Sequence, residues 1–100
     1  MKYTALIVTF NRLGKLKKTV EETLKLEFTN IVIVNNGSTD GTQAWLSSIV
    51  DPRVIVLTLT ENTGGAGGFK TGSQYICAQL ASDWVFFYDD DAYPYPDTLK

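Results

Sequence analysis

The amino-acid sequence predicts an α/β domain with a doubly wound, mostly parallel sheet between two layers of helices. Four short apolar runs, rich in β-branched and aromatic residues, alternate with longer segments of helical character. The runs lack strict polar alternation, so both faces of the sheet are expected to be covered, as is typical of parallel strands. Right-handed crossovers then give a three-layer α/β/α arrangement, for which we predict the strand order 3-2-1-4.

The strands and the first helix follow from local patterns. Leu13, Leu16, Val20 and Leu24 lie on one face of a predicted amphipathic helix, and charged side chains lie largely on the other. That helix is expected to pack against the sheet. The strands are predicted at residues 3–10, 31–34, 54–59 and 84–88.

Two further helices are predicted between the later strands. One opens at Asp40, which with Gln43 has a variant of the capping-box spacing, and it ends at Asp51-Pro52. The other begins inside the glycine-rich stretch 64–68 and is predicted to run to about Ala81. Its predicted apolar face consists of Phe69, Ser73, Ile76, Cys77 and Leu80.

Composition excludes several classes of function. The chain has 100 residues, enough for one compact domain, and a formal charge of -2, which provides no broad basic field for nucleic acid or an anionic membrane. No apolar run approaches the roughly 20 residues that a membrane-spanning helix needs. The single Cys77 cannot form an internal disulfide and is expected to be buried and inert. These features predict a cytoplasmic protein without a nucleic-acid partner.

Polar groups follow all four predicted strands. In open parallel sheets, ligands bind beyond the carboxyl ends of the strands. We therefore expect these groups to converge on one crevice. The four segments are Thr9-Phe10-Asn11-Arg12, Asn35-Asn36-Gly37-Ser38-Thr39-Asp40, Asn62-Thr63-Gly64-Gly65 and Asp89-Asp90-Asp91.

The triple aspartate predicts a metal site. Three successive carboxylates after an apolar strand would repel one another unless a cation lay between them. Oxygen ligands from Asp89 and Asp91 suit magnesium or manganese, ions that commonly bridge carboxylates and substrate phosphates. The alternative is a solvated acidic turn that caps the next helix.

The remaining segments have two interpretations each. The glycine stretch permits close backbone approach to a phosphate, but it fits neither the dinucleotide nor the P-loop template, so a turn with close helix packing is equally compatible. Asn36 offers a donor and an acceptor to a pyrimidine edge, or it belongs to a turn and N-cap. Phe10 stacks on that base, or it is a core aromatic.

Taken together, these motifs closely resemble the family 2 glycosyltransferases, which have the Rossmann-like GT-A fold. Order and spacing match across nearly the whole chain, at residues 8–12, 35–42, 62–69 and 89–91. The last two segments look most like bacterial galactofuranosyl and rhamnosyl transferases of cell-surface polysaccharide biosynthesis. The resemblance implies that residues 1–100 form the N-terminal, nucleotide-sugar-binding part of a glycosyltransferase domain that is truncated at its C-terminus.

The resemblance also assigns site residues. Asn36 would face the base, and Asp89 and Asp91 would form a DXD pair that holds a divalent metal on the diphosphate of a UDP- or dTDP-linked sugar. The metal would act as a Lewis acid on the leaving group. The base and ribose pocket would be lined by Thr9, Phe10, Asn11 and Arg12. The donor site would also include Gly37, Asn62, Gly64, Gly65, Gly68, Lys70 and Asp90.

Two positions depart from the family pattern. Many relatives carry Asp at the position of Asn36, so a neutral amide replaces an ionised acceptor and the identity of the base is less well defined. Many relatives also place Arg in the third loop. Here Lys70 substitutes as a point charge, or the diphosphate relies on the metal alone. The catalytic base is expected beyond Lys100.

The expected activity is transfer of a sugar, with inversion, to a glycan or lipid-linked acceptor, by a full-length protein that could associate with the inner face of the membrane. This chain alone is expected to bind donor and metal without turnover. The alternative is a non-catalytic nucleotide-binding or assembly module. A phospho-receiver signalling domain is a further alternative, but it requires acidic residues after the first strand, where this chain has Asn11 and Arg12. If the strand order is correct, residues 84–88 form an exposed apolar edge that favours self-association.

Overall fold

The computed structural model describes residues 2–80 and 82–89. Residues 88 and 89 are described by their backbone only. Strands and helices alternate along this part of the chain, as predicted. Their bounds are β1 Tyr3–Thr9, α1 Leu13–Leu24, β2 Asn30–Asn36, α2 Thr42–Ser47, β3 Val54–Leu59, α3 Gly64–Gln79 and β4 Trp84–Asp89.

The strands form one parallel sheet with the order β3-β2-β1-β4, so the predicted order is confirmed. The register aligns the carboxyl ends of all four strands. Thr9 is opposite Asn35, Asn36 is opposite Leu59, and Asp89 is opposite Val8. The loops that follow the strands therefore start from a common edge of the sheet.

Helices cover both faces of the sheet, which confirms the predicted three-layer arrangement. Because side chains alternate along a strand, neighbouring residues of β1 and β2 contribute to different cores. The core beneath α1 and α2 contains Ala5, Ile7, Leu16, Val20, Phe28, Ile31, Ile33 and Leu46. The core beneath α3 contains Leu6, Val8, Val32, Val34 and Ile76. Full burial of each Leu or Ile stabilises the fold by about 1.5–3 kcal/mol.

The contact face of α3 differs from the predicted one. Gly68, Gly72 and Ile76 are buried, one helical turn apart, whereas Phe69 and Cys77 are exposed. A Cβ atom on Gly68 would lie 2.5 Å from Cγ1 of Val8, so the helix packs against the sheet through its smallest residues. The prediction of a buried, inert Cys77 was therefore wrong, because glycines and not bulky side chains set the contact.

The predicted capping box is also absent. Gly41 is the N-cap of α2 and makes no side-chain capping bond. The Asp40 carboxylate instead accepts a hydrogen bond from the backbone N–H of Thr42 at 3.0 Å, and another from the Thr42 hydroxyl. Gln43 takes no part in capping α2, and its side-chain amide instead contacts the carboxyl ends of β2 and β3.

The amino edge of the sheet has a separate polar brace. The Arg53 guanidinium donates to the carbonyls of Leu24 (2.8 Å) and Leu26 (2.9 Å) at the C-terminal end of α1. The guanidinium also pairs with the Asp51 carboxylate at 2.9 Å. The hydrogen bonds that Asp51 accepts from Arg53 lower the pKa of Asp51 below its ordinary value. Arg53 thus satisfies carbonyl groups that the helix leaves without partners.

Candidate functional site

The loops after β1, β2 and β3 contact one another at the carboxyl edge of the sheet, where polar side chains connect them. We call them loop 1 (residues 10–12), loop 2 (residues 37–41) and loop 3 (residues 60–63). Loop 1 joins β1 to α1, loop 2 joins β2 to α2, and loop 3 joins β3 to α3.

Asn11 connects loop 1 to loop 2. Its side-chain oxygen accepts hydrogen bonds from the backbone N–H groups of Thr39 (2.7 Å) and Asp40 (3.2 Å), and its own N–H donates to the Ser38 hydroxyl at 3.0 Å. Its φ of 50° lies in the left-handed region, which Asn tolerates better than most residues. Asn11 therefore holds two of the loops in a fixed relation.

The other residues of the predicted base pocket differ in exposure. Thr9 is buried, and Arg12 is exposed. Phe10 keeps 39% of its surface exposed, so it is not a core aromatic and its ring is accessible from solvent. The interpretation of Phe10 as a core aromatic is thus wrong, and stacking of its ring on a base stays a prediction.

Asp40 connects loop 2 to the start of α1. The Thr42 hydroxyl, with smaller contributions from the backbone N–H groups of Thr42 and Leu13, lowers the pKa of Asp40 below its ordinary value. Leu13 is the first residue of α1, where a negative charge also interacts favourably with the helix dipole. Asp40 is therefore ionised at neutral pH.

Gln43 joins the ends of β2 and β3. Its side-chain oxygen accepts hydrogen bonds from the Asn35 amide at 2.9 Å and from the Thr58 hydroxyl at 2.8 Å. Asn35 and Thr58 are register partners, and the Asn35 oxygen also accepts from the backbone N–H of Ser38. Sequence reasoning missed this network. The available signal was the pairing of two polar residues at the ends of adjacent apolar strands.

Asn36 connects β2 to loop 3 and the start of α3. Its side-chain oxygen accepts hydrogen bonds from the backbone N–H (2.9 Å) and hydroxyl (3.0 Å) of Thr63, and its amide group donates to the carbonyl of Gly64 at 2.9 Å. Asn36 itself is 2% exposed. The amide that was predicted to face a base is thus bound to loop 3 and Gly64, and a contact with the base stays a prediction.

The glycines at this edge have different surroundings. A Cβ atom on Gly37 would lie 2.5 Å from the backbone carbon of Glu61, and Gly37 has a φ of 77°. By contrast, a Cβ atom on Gly64 or Gly65 would have no neighbour within 4 Å. Gly37 and Gly68 therefore serve close packing, and Gly64 and Gly65 are exposed, as is Lys70 on the first turns of α3.

The first residue of the predicted metal pair, Asp89, ends β4 and is placed by its backbone at the same sheet edge as Thr9. Asp90 and Asp91 lie outside the described residues. Among the residues that are described, no cluster of three or more His, Cys, Asp or Glu side chains could hold a metal ion. The carboxylate oxygens of residues 89–91 are nevertheless the donor type that magnesium and manganese prefer.

The sheet order and the two covered faces define the class: the fold is that of the GT-A glycosyltransferases. The chain belongs to the family described as Glycosyl transferase family 2, whose model matches residues 4–100. The family and fold predicted from the motifs are therefore confirmed. Within residues 2–80 and 82–89, no helix combines the length and apolar character that crossing a bilayer requires.

The chain is similar to longer proteins. It is 27% identical over 99 residues to the succinoglycan biosynthesis protein ExoO of Rhizobium meliloti (strain 1021), covering 97% of this chain and 27% of ExoO. The structure of S. aureus TarS 1-349 matches with a TM-score of 0.79 and 26% identity over 99% of this chain and 30% of TarS.

A third relative shares the fold at lower identity. The mannosyltransferase PcManGT from Pyrobaculum calidifontis, solved in complex with GDP-Man and Mn2+, matches with a TM-score of 0.80 and 23% identity. The match covers 98% of this chain and 30% of PcManGT. This chain thus spans less than a third of the length of each of these relatives.

Proposed function

We propose that this chain is the donor-binding part of an inverting glycosyltransferase. The full-length protein transfers a sugar from a UDP- or dTDP-linked donor to a glycan or lipid-linked acceptor in the synthesis of a cell-surface polysaccharide. The observation that carries the proposal is a pair of hydrogen-bonded connections at the carboxyl edge of the sheet, one between loops 1 and 2 and one between the end of β2 and loop 3, in a chain that matches the family over residues 4–100. ExoO, a succinoglycan biosynthesis protein, supports the choice of product class.

The nucleoside occupies the space beside loop 1. The accessible ring of Phe10 stacks on the base, and Thr9, Asn11 and Arg12 surround the base and ribose. The half-exposed state of Phe10 supports this arrangement, since a ring buried in the core could not contact a ligand. The exposed residues Asn62, Gly64 and Gly65 form the adjoining wall, where loop 3 and the start of α3 approach the donor. Gly37 and Gly68 belong to this part of the site through the close backbone packing behind that wall.

The diphosphate lies between the end of β4 and the start of α3. Asp89 and Asp91, with Asp90 between them, would hold a magnesium or manganese ion beside it. The chemistry that such an ion would supply is stabilisation of the charge that develops on the leaving nucleoside diphosphate. Lys70 supplies a positive charge from α3. The mannosyltransferase of the same fold that was solved with GDP-Man and Mn2+ supports the use of a divalent ion.

Nucleotide binding tests this proposal directly. In titration calorimetry the protein should bind UDP or dTDP in the presence of manganese, with a Kd of about 1 µM to 1 mM, the range of enzyme substrates. Chelation of the metal with EDTA should abolish most of the heat. A GDP titration serves as the control for base preference. Absence of metal-dependent binding in a sample shown to be folded by circular dichroism would contradict the proposal.

We also propose that the β4 edge mediates self-association. Among the strands of the described residues, β4 lies at the edge of the sheet, and Trp84, Val85 and Phe87 on it are 58%, 45% and 44% exposed. An exposed apolar edge strand is a template for pairing with a second chain. The molar mass from light scattering should therefore rise with concentration.

A lysine placed on this edge, Val85→Lys, should shift the sample towards the monomer, because charged residues block edge-to-edge pairing. The matched control is Val50→Lys, since Val50 is 94% exposed and lies outside the strands. A monomeric mass at all concentrations would refute self-association through β4.

A further inference from the structure

We infer that Asn36 is a positioning residue for the donor's diphosphate, and that it acts by fixing loop 3 and the start of α3 and not by reading the base. The inference rests on the proposed function, because it assumes that this loop adjoins the donor. It assigns to Asn36 a role different from the base contact that its place in the motif suggests.

The first observation is that the hydrogen-bonding capacity of Asn36 is largely used within the chain. Both lone pairs of its side-chain oxygen are occupied by Thr63, one by the backbone N–H and one by the hydroxyl. One of its two amide hydrogens is occupied by the carbonyl of Gly64. With 2% of its surface exposed, the side chain presents little area to a ligand.

The second observation is that loop 3 and the start of α3 need an external tie. Residues 64 and 65 are consecutive glycines, and at both positions the space around a Cβ atom is open, so no side-chain packing restrains the backbone there. Within this segment, the Gly64 N–H donates a hydrogen bond to the Asn62 side chain at 2.8 Å. The bonds to Asn36 come from 27 and 28 residues away, on a buried central strand.

The third observation concerns the backbone around this tie. Gly37, the next residue, packs its Cα against the backbone of Glu61 and Asn62, and Gly68 lies beside the Asn36 amide on the α3 side. Asn36 therefore lies between a close backbone contact at Gly37 and the first turns of α3 at Gly68. Any shift of its side chain would move loop 3 relative to the first turn of α3.

These contacts require an amide at position 36. An aspartate would keep the acceptor for Thr63, but it would lose the donor to the Gly64 carbonyl and place two oxygens with partial or full negative charge against each other. Loss of one partner from a buried hydrogen bond is more damaging than loss of both. The neutral residue is thus explained by loop 3 and the start of α3, without reference to the base.

The test compares Asn36→Asp with Asn35→Asp. Both residues are buried at the end of β2, but the Asn35 amide donates its hydrogen bond to the Gln43 side chain and not to the Gly64 carbonyl. With manganese present, Asn36→Asp should weaken UDP binding by about tenfold and leave uridine binding within about twofold. Asn35→Asp should leave both affinities within about twofold. Hydrogen exchange at the amides of residues 63–65 should accelerate in Asn36→Asp alone.

A second variant keeps the test decisive if Asn36→Asp does not fold. Thr63→Val removes the hydroxyl donor at an exposed position and keeps the backbone bond, so it should weaken UDP binding by about threefold without changing uridine binding.

Two outcomes would overturn the inference while the proposed function stands. One is an equal loss of uridine and UDP affinity, or a changed ranking of UDP, dTDP and GDP, since either marks Asn36 as a base-reading residue. The other is unchanged hydrogen exchange in loop 3 and at Gly64 and Gly65. If the unmodified protein binds neither uridine nor UDP, the proposed function itself fails.

Discussion

Gly37→Ala should lower the free energy of unfolding by about 3 kcal/mol, the sum of a left-handed backbone for alanine and an overpacked contact. The φ of 77° is a conformation that residues with a Cβ rarely adopt, and the added methyl would lie 2.5 Å from the Glu61 carbon and 2.6 Å from the Asn62 nitrogen. These are backbone atoms, so no side-chain rotation can relieve the clash. Urea denaturation followed by tryptophan fluorescence measures the loss.

Gly64→Ala is the matched control. Gly64 has nearly the same φ, 79°, but a Cβ atom there has no neighbour within 4 Å. This variant should therefore lose only the backbone contribution of about 1–2 kcal/mol. Equal losses in the two variants would mean that the approach of loop 2 to loop 3 does not contribute to stability.

Asp91→Asn should reduce UDP affinity in manganese by about 10- to 100-fold, the loss that weakened metal ligation commonly produces. An amide has no negative charge, so the proposed ion would lose one of the two carboxylates that are proposed to bind it. The affinity measured in EDTA should be the same for the variant and the unmodified protein, because that fraction of binding does not use the metal. Calorimetry with and without manganese gives both values.

Asp83→Asn provides the control for charge alone. Asp83 is exposed and precedes the same strand at its opposite end, where it accepts a hydrogen bond from the Lys2 N–H at 2.7 Å. The substitution Asp83→Asn changes the net charge by the same amount as Asp91→Asn, and it should leave manganese-dependent binding unaltered. If Asp91→Asn retained the full manganese effect, residues 89–91 would not be the metal site.

The strands could be predicted closely because each is a continuous apolar run. β3 begins and ends at the predicted residues, and β2 extends the predicted run to Asn30 and Asn36. These additional residues are polar, and a hydropathy pattern does not include them. Their place in the strand depends on register with β1 and β3, which is a tertiary property.

The contact face of α3 could not be predicted from apolar spacing. Hydrophobic periodicity favours Phe69 and Cys77, but a helix that must lie close to β1 does so through Gly68 and Gly72. The contact at Gly72 is with Leu6, which belongs to the central strand. Glycine has no side chain and is not counted in a hydrophobic pattern, so this pattern does not include the two residues that form the contact.

The candidate site was predictable as a set of strand ends, but its internal hydrogen bonds were not. Their place in the motifs predicts Asn11 and Asn36 as ligand contacts. In the structure each amide also holds a neighbouring loop, over separations of 28 and 27 residues. Such long-range pairings leave no local trace in the sequence. Of the metal pair, Asp89 is the last described residue and Asp91 lies outside the described part of the chain, so the metal site stays a prediction.

The hydrogen bonds that connect the described loops have a consequence for pH. They are made by carboxamides, hydroxyls and backbone groups, which do not titrate, and the chain contains no histidine. Asp40 is the ionisable member of this set, and its hydrogen bond with Thr42 lowers its pKa in the folded protein. Ionised Asp40 therefore stabilises the fold fully above its unfolded pKa. This stabilisation is lost only as the pH falls through the lower, folded pKa. The shape of this edge should therefore stay constant from mildly acidic to mildly alkaline solution. Any change in nucleotide affinity across that interval then reports on the ligand, the ion and the carboxylates that would hold the ion, and not on the hydrogen bonds between the loops.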